Sequence, residues 1–560
     1  MRENRVQFKD RKASSNYFLS DKLLVDYIFR YVDNDAFTYM GGRWKHLGYL
    51  AAGKMNHLSL LADKHGPELN KRDAWGDDVN EVEFHNAYWE LMDIAAESEM
   101  IRLKWEPVLR KRFAGKRNLL GFISGYIYAM SEMGQYCPLC MTDGTAVLID
   151  KYATEKDKAR LMPGFAELDG RKLTTGAMYL TEKSGGSDIG NNLVTAMKRD
   201  NQWVLNGEKW FCSNVNADIA MILARTGEPD SRTRGLSVFM MEKYLKNGSR
   251  NPIEIIRLKD KLGVRSMASA ECLLTDTEGT LLGDENEGLK VMLDMINISR
   301  VYNSIAALAG TRRALTEAME FSINRMAFGK LLCDHPLYRE KLWELSALHN
   351  ANFHLVMRTV LAIDRAEEGD EHESELLRLL TPMAKWWSAD TAVYLVRESM
   401  ELMGGIGYIE DQIMPKLLRD VNVLPIWEGS GNVIILDMLR SVMKTDALKA
   451  LIKEIEKLEL AYVDEPVLKA EAQSILEQYR KIRKLPQEEL EVSFKYLAKR
   501  TIRLFQIYLM LESVDTGADY LLHSIQYFKN QITGNHTDGL SDVMEIPVEI
   551  LTGWNFESFE

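Results

Sequence analysis

The sequence predicts an α+β chain with four consecutive parts: an N-terminal helical domain, a central β domain, a C-terminal helical domain and a helical C-terminal extension. Three observations carry this. Apolar residues recur three and four apart over residues 20 to about 165 and again from Leu289. Between these stretches, from about residue 174, apolar and polar residues alternate. After residue 443 the helical spacing continues in a stretch of different composition. The expected domains are therefore 1–170, 171–288, 289–443 and 444–560.

Taken in order, FHNAYWELMDIAAESEMIRLKW and LLGFISGYIYAMSEMGQYC hold few glycines or prolines, so both are expected to be helices. NLVTAMKRDNQWVLNGEKWFCSN then reads as a hairpin with Asn206-Gly207 as its turn, followed by the short β-rich runs ADIAMILART, GLSVFMME and ASAECLLTD. The pattern from Leu289 predicts a long helix ending at Gly329, with further helices over 338–369, 375–403 and 432–443. In ALKALIKEIEKLEL, Leu448, Leu451, Ile452, Ile455 and Leu458 fall on one helical face.

With 560 residues, 46% hydrophobic and 27% charged, the chain can bury several cores. A net charge of −12 argues against a general nucleic-acid or anionic-membrane binder, which needs clustered Lys and Arg. The opening MRENRVQFKDRKASSNYF has no apolar signal core, and no run approaches about 18 apolar residues. The expectation is a cytoplasmic protein without a membrane span. Five scattered cysteines suit reduced thiols, and Cys137-x-x-Cys140 lacks the second pair that a zinc site would want. No histidine spacing offers a ligand set, so no metal site is expected.

Four segments can carry chemistry. YLTEKSGGSDIG offers small residues (Ser184, Gly185, Gly186, Ser187) that let backbone amides approach a phosphate, with hydroxyls at Thr181 and Ser187. GEKWFCSN places Trp210, Phe211 and Ser213 on a strand, a flat ring beside a hydroxyl as a flavin ring requires. INRMAFGK sets Arg325, Phe328 and Gly329 at a helix end. In the fourth, ELMGGIGYIEDQIMPKLLRD, Gly404-Gly405 interrupts a helix pattern, and LPIWEGSGNVIILDML follows it. That motif puts Glu428 among Pro425, Ile426 and Trp427, where lost hydration would raise a carboxyl pKa toward that of a general base. Its plainer reading is a helix start, with Glu428 or Ser430 as the cap.

In this order and spacing the segments resemble the acyl-CoA dehydrogenase flavoprotein family over about residues 85–443, and within it the AidB-like alkylation-response branch. CPLCMT at 137–142, TEKSGGSD at 181–188, KWFCS at 209–213, HPLYR at 335–339 and IWEGSGN at 426–432 carry the likeness. The resemblance implies that the central β domain is a β-barrel or sandwich and the C-terminal helical domain a four-helix bundle. It implies FAD as cofactor and α,β-dehydrogenation of an acyl-CoA to a trans-2-enoyl-CoA, with Glu428 as the α-proton base. It assigns Thr181, Gly186, Ser187, Phe211, Cys212, Ser213, Arg325, Phe328, Gly404, Gly405, Ser430 and Asn432 to the cofactor. Ser187, Arg300 and Gly429 are assigned to the substrate, and for Arg300 a helix-surface salt bridge is the equal alternative. It further implies a homo-oligomer (dimer or tetramer) and an electron-transfer flavoprotein as acceptor. Pro336 stands where shorter members often have Gln, as in the AidB-like branch.

Two alternatives keep the fold. One is an acyl-CoA oxidase passing electrons to oxygen. The other is an AidB-like role in binding or protecting DNA through the extension. Residues 444–560 hold 14 Lys and Arg against 20 Asp and Glu, a net −6, which disfavours a duplex-binding module. The local basic cluster Arg480, Lys481, Arg483, Lys484, Lys495, Lys499, Arg500 and Arg503 is interrupted by LPQEELE and reads as a solvated helix face.

Overall fold

The computed structural model describes residues 13–462 and 464–556. They form two compact units. One runs up to Lys54 and resumes at 129–131 and from Ser304 onward; the other comprises Met55–Tyr128 and Glu132–Asn303. The stretch expected as one domain over 1–170 contributes to both units. Helix Lys22–Tyr31 buries Leu23, Leu24, Tyr27 and Ile28, and the Tyr27 ring meets Phe353 of the bundle edge-on at 5.5 Å. That apolar face gives its segment to the bundle rather than to the helices that follow it.

The unit containing Met55–Tyr128 and Glu132–Asn303 is built on strands β3 (Gly176–Tyr179), β4 (Thr195–Arg199), β5 (Gln202–Ser213), β6 (Ile219–Arg225), β7 (Leu236–Glu242), β8 (Ile253–Leu258) and β9 (Ser269–Leu282). Pairing runs β6–β7–β9–β5–β4, and Thr195 opposite Arg225 returns β4 to β6, closing a barrel with β3 and β8 added outside the ring. Leu205, Ala220, Ile222, Phe239, Ala270 and Leu274 fill its core. The hairpin expected at Asn206-Gly207 turns earlier. Asp200 (φ 47°) and Asn201 (φ 68°) make the two-residue turn, and Thr195 pairs with Asn206. Gly207 instead sits at a register shift inside β5, where a Cβ would come within 2.9 Å of Val194.

An antiparallel hairpin, β1 (Glu68–Arg72) and β2 (Asp78–Glu83), interrupts the stretch expected to be helical. Its residues are mostly exposed and polar, and only Leu69 and Val82 reach the barrel core, so it carries no apolar period to read.

The other unit holds helices Pro336–Glu367, Glu371–Leu402 and Gly431–Lys444 and the later part of Gly288–Asn324, the four expected of the bundle. The long helix ends at Asn324, not Gly329. Strands β10 (Met326–Ala327) and β11 (Lys330–Leu331) follow, turning through Phe328 (φ 50°) and Gly329 (φ 84°). In the extension, helices Ala447–Ala461, Gln487–Val514 and Leu522–Thr533 pack on the bundle helices, with Leu504, Phe505, Ile507 and Met510 fully buried. No helix among the described residues is long and apolar enough to cross a membrane.

Candidate active site

On the barrel, the glycine-rich segment and the aromatic strand are tied together. Trp210 N–H donates to Thr181 C=O at 2.9 Å, which sets Thr181 beside β5. Glu182 lies beneath the segment and accepts from the amides of Leu193 (2.5 Å) and Val194 (3.2 Å), fixing the far end of the loop. Lys209 Nζ meets the same carboxylate at 2.7 Å and also donates to the carbonyls of Leu180 and Leu223. Burial lowers the Lys209 pKa against the pull of Glu182. The loop tip itself, including Gly186 and Ser187, is exposed. A buried ion pair under an exposed glycine-rich tip holds amides in place for an anion without covering them.

Phe211 is 51% exposed although it lies on a barrel strand. Lys259 Nζ stands 4.6 Å from its ring centroid and 3.7 Å from that of Trp210. Ser213 Oγ lies 3.2 Å from Ser269 Oγ. An uncovered ring flanked by a cation and hydroxyls suits a flat, polar-edged ring system such as isoalloxazine. Cys212 points the other way, fully buried in the barrel core, and burial pushes its thiol well above the ordinary range. Only its backbone remains for a ligand. Arg300 is also buried, 6% exposed, with Nη1 3.5 Å from Asn297 Oδ1, so it does not stand on an exposed helix face.

In the bundle unit, Arg325, Gly404 and Gly405 line one pocket of about 770 Å³ with Ala327, Tyr338 and Ile406. A Cβ on Gly404 or Gly405 would meet no atom within 4 Å, so these glycines leave backbone open to the pocket. Gly404 needs its freedom because its φ is +59°. Phe328 is not in the wall; it caps the β10–β11 turn and is 96% exposed. Lys341 lines the same pocket and was not legible in the sequence. Against the burial that opposes its charge, contacts to Glu344 (2.6 Å) and Glu398 (3.2 Å) hold its ammonium above the usual lysine range. Glu344 is its i+3 neighbour on the same helix, whereas Glu398 lies 57 positions away on the next helix, a pairing that no local pattern announces.

Glu428 has φ +56° and Gly429 φ +99°, two consecutive left-handed residues before helix Gly431–Lys444. A left-handed non-glycine residue costs roughly 1–2 kcal/mol, so the turn is strained at the acid. Lys385, buried on helix Glu371–Leu402, donates to Gly429 C=O at 2.6 Å and pins the turn from below. Ser430 stands at the N-cap position of that helix, and its side chain makes no capping bond. The expected apolar cover is thinner than the sequence implied. Glu428, Pro425 and Trp427 are half-buried, while Ile426 is 67% exposed because it turns outward. Asn432 lies in the first turn of the helix and is exposed.

Three family models match: Adaptive response protein AidB N-terminal domain over residues 9–167, acyl-CoA dehydrogenase middle domain over 177–277, and acyl-CoA dehydrogenase C-terminal domain over 286–443. The chain is 34% identical over 457 residues to a putative acyl-CoA dehydrogenase, AidB, of Escherichia coli K12, covering 79% of this chain and 80% of that one. It is 31% identical over 455 residues to acyl-CoA dehydrogenase family member 11 of Caenorhabditis elegans, covering 79% and 73%. The crystal structure of C. elegans ACDH-11 in complex with C11-CoA superposes with a TM-score of 0.85 at 26% identity, covering 97% of this chain and 94% of that one. At that coverage the fold of the extension is shared as well. The chain belongs to the acyl-CoA dehydrogenase family and is an FAD-dependent oxidoreductase.

Proposed function

We propose that the enzyme removes the α-proton of an acyl-CoA thioester with the Glu428 carboxylate and so forms the trans-2-enoyl-CoA. The observation that supports this reading is the strained turn: the acid is held at φ +56° next to Gly429, whose carbonyl is pinned by the buried Lys385. FAD, when bound, supplies the acceptor for the β-hydride. An α-proton of a thioester is too weakly acidic for a carboxylate unless the carbonyl oxygen is hydrogen-bonded. In this reading the Glu428 amide would take that task, and Gly429 keeps the neighbouring position free of a side chain.

Thr181, Gly186, Ser187, Phe211 and Ser213 would hold the flavin on the barrel. Arg325, Gly404 and Gly405 would hold the adenine and diphosphate end in the 770 Å³ pocket, with Phe328, Ser430 and Asn432 contributing around it. Ser187, Arg300 and Gly429 belong to the substrate side in this reading. The C11-CoA in the worm relative's structure supports a thioester of coenzyme A as the substrate class. An electron-transfer flavoprotein as acceptor, a homo-oligomeric state and a cytoplasmic location complete the proposal. DNA binding is not part of it, because the extension is net acidic and half of its basic cluster is already engaged. Arg500 pairs with Glu471 at 2.7 Å, Lys481 with Glu477 at 2.5 Å, Arg483 donates to Val442 C=O, and Lys499 lies over Trp386 and Trp387.

The test is anaerobic titration of the yellow holoenzyme with a panel of acyl-CoAs. Bleaching of the oxidised flavin band by one chain class, lost in Glu428→Gln with binding retained, is the expected result. A flavin that no thioester reduces overturns the reading, and fast reoxidation by oxygen alone would replace the dehydrogenase with an oxidase.

A further inference from the structure

In the bundle unit a second cavity, of about 340 Å³, lies among helix Lys22–Tyr31, helix Pro336–Glu367 and the turn that follows helix Gln487–Val514. Its wall includes Leu23, Tyr27, Arg30, His354, Ser513 and Thr516. N-terminal segment, bundle and extension thus each contribute one side. None of these residues belongs to the segments assigned to flavin or thioester.

The charge of the wall is not balanced. Lys22 is paired with Asp26 at 3.0 Å, which neutralises the one acid lining the cavity. Arg30 stacks on Tyr31 at 5.0 Å and donates from Nη1 to Ser513 Oγ at 3.0 Å, and no carboxylate among the described residues lies within ion-pair distance of it. His354 does not add to this charge. Its Nδ1–H donates to Asn350 C=O at 2.7 Å, its Nε2 accepts from Ser513 O–H at 3.0 Å, and burial pulls its pKa down to about 4. The cavity therefore presents a single net positive charge, fixed in place by Ser513.

Tyr27 gives the wall a ring; it is 6% exposed, and its hydroxyl is closed off even from water. Arg30 is therefore the charged group that the cavity offers to a ligand. The remaining wall is apolar or aromatic, with Leu23, Ala518, Leu521 and the ring of Tyr520.

We propose that this cavity binds a small organic carboxylate with a compact apolar body, its carboxylate held by Arg30 and its body against Leu23 and Leu521. Such a ligand bridges the N-terminal segment, the bundle and the extension, so its occupancy stabilises their association by mass action.

The experiment is isothermal titration calorimetry of full-length holoenzyme with hexanoate and with benzoate, and with inorganic phosphate as a doubly charged ligand lacking an apolar body. Binding of at least one carboxylate with Kd at about millimolar or tighter, weaker or absent binding of phosphate, and a raised thermal midpoint are expected. Arg30→Gln should weaken carboxylate binding about tenfold or more and leave the flavin spectrum unchanged. Thr516→Trp places bulk at an exposed position of the rim, so it blocks the cavity without disturbing the core and should abolish the same heat. It decides the matter if Arg30→Gln does not fold. No binding of either carboxylate to the unmodified protein overturns the proposal. So does binding unchanged in Thr516→Trp, which would place the carboxylate in the acyl site, and so does phosphate binding more tightly than both carboxylates.

Discussion

Lys209 Nζ lies 2.7 Å from Glu182 Oε1, with the lysine side chain wholly inaccessible and the glutamate 4% exposed. The pair sits where β5 meets the glycine-rich segment, so one ammonium and one carboxylate fix both ends of the loop proposed to receive the flavin. Lys209→Met leaves that carboxylate buried without its counter-charge. A loss of about 3–5 kcal/mol of stability is expected, measured by denaturant midpoint, together with faster release of flavin on dilution. The double variant Glu182→Gln/Lys209→Met should recover most of the stability but not the flavin affinity, because the amides of Leu193 and Val194 lose their charged acceptor. Equal recovery of both would show that the pair only holds the barrel together.

Glu428 offers a separation of stability from chemistry. Glu428→Gly relieves a left-handed strain of roughly 1–2 kcal/mol, offset by about 0.5–1 kcal/mol of added freedom in the unfolded chain. The thermal midpoint should therefore stay level or rise slightly, whereas Glu428→Ala keeps the strain and gains nothing. In both, loss of a general base should lower flavin reduction by about 10²–10⁴-fold. Stopped-flow bleaching gives the rate and calorimetry the stability. A rate drop with a lower midpoint in Glu428→Gly would mean that the side chain has a structural task.

How far these features were legible in the sequence depends on whether the signal is local. Glu428, Thr181, Arg325 and Gly404 sit in short segments whose residue types announce their chemistry, and the structure brings Arg325 and Gly404 to one pocket. The bundle helices were legible because their apolar spacing persists for some 30 residues. What escaped was set by distant packing. The β1–β2 hairpin has almost no buried face. The Asn206-Gly207 dipeptide looks like a turn, yet strand pairing with β9 continues through it. The assignment of Lys22–Tyr31 to the bundle rests on Phe353, more than 300 positions away. The thiol of Cys212 and the outward turn of Ile426 likewise depend on strand facing and loop path rather than on neighbours in sequence.

Glu320 gives the protein a pH dependence of predictable sign. Burial, and next the charge of Glu317, push its pKa up to about 7, while the Ser14 amide at 2.8 Å and Arg313 pull it down. The folded state therefore keeps a proton that the unfolded chain releases near the ordinary glutamate value. Stability is full below that value and falls as pH rises toward about 7. Glu320→Gln retains an acceptor for Ser14 and removes the slope. Denaturant melts at acid and at mildly alkaline pH should show the variant gaining on the order of 2–3 kcal/mol at the alkaline end only. Parallel curves would place the pH dependence elsewhere.

Trp554 closes the chain onto its own beginning. It is fully buried, donates from Nε1 to Ser14 Oγ at 2.6 Å, and meets the Tyr17 ring at 5.9 Å. Backbone bonds from Lys22 to Gly553 and from Asn555 to Ser20 run alongside, and Arg312 joins both ends through Thr552 C=O and Asp21. Trp554→Ala opens a cavity in this clasp and should cost about 3–5 kcal/mol. Trp554→Phe keeps most of the ring and loses one hydrogen bond, at about 1 kcal/mol plus some packing. Limited proteolysis should then cut near the N-terminal segment first in Trp554→Ala, with flavin content unchanged, because neither the glycine-rich segment nor the Glu428 turn touches the clasp residues through any of these bonds. Simultaneous loss of flavin would show that the clasp reaches the site as well as the termini.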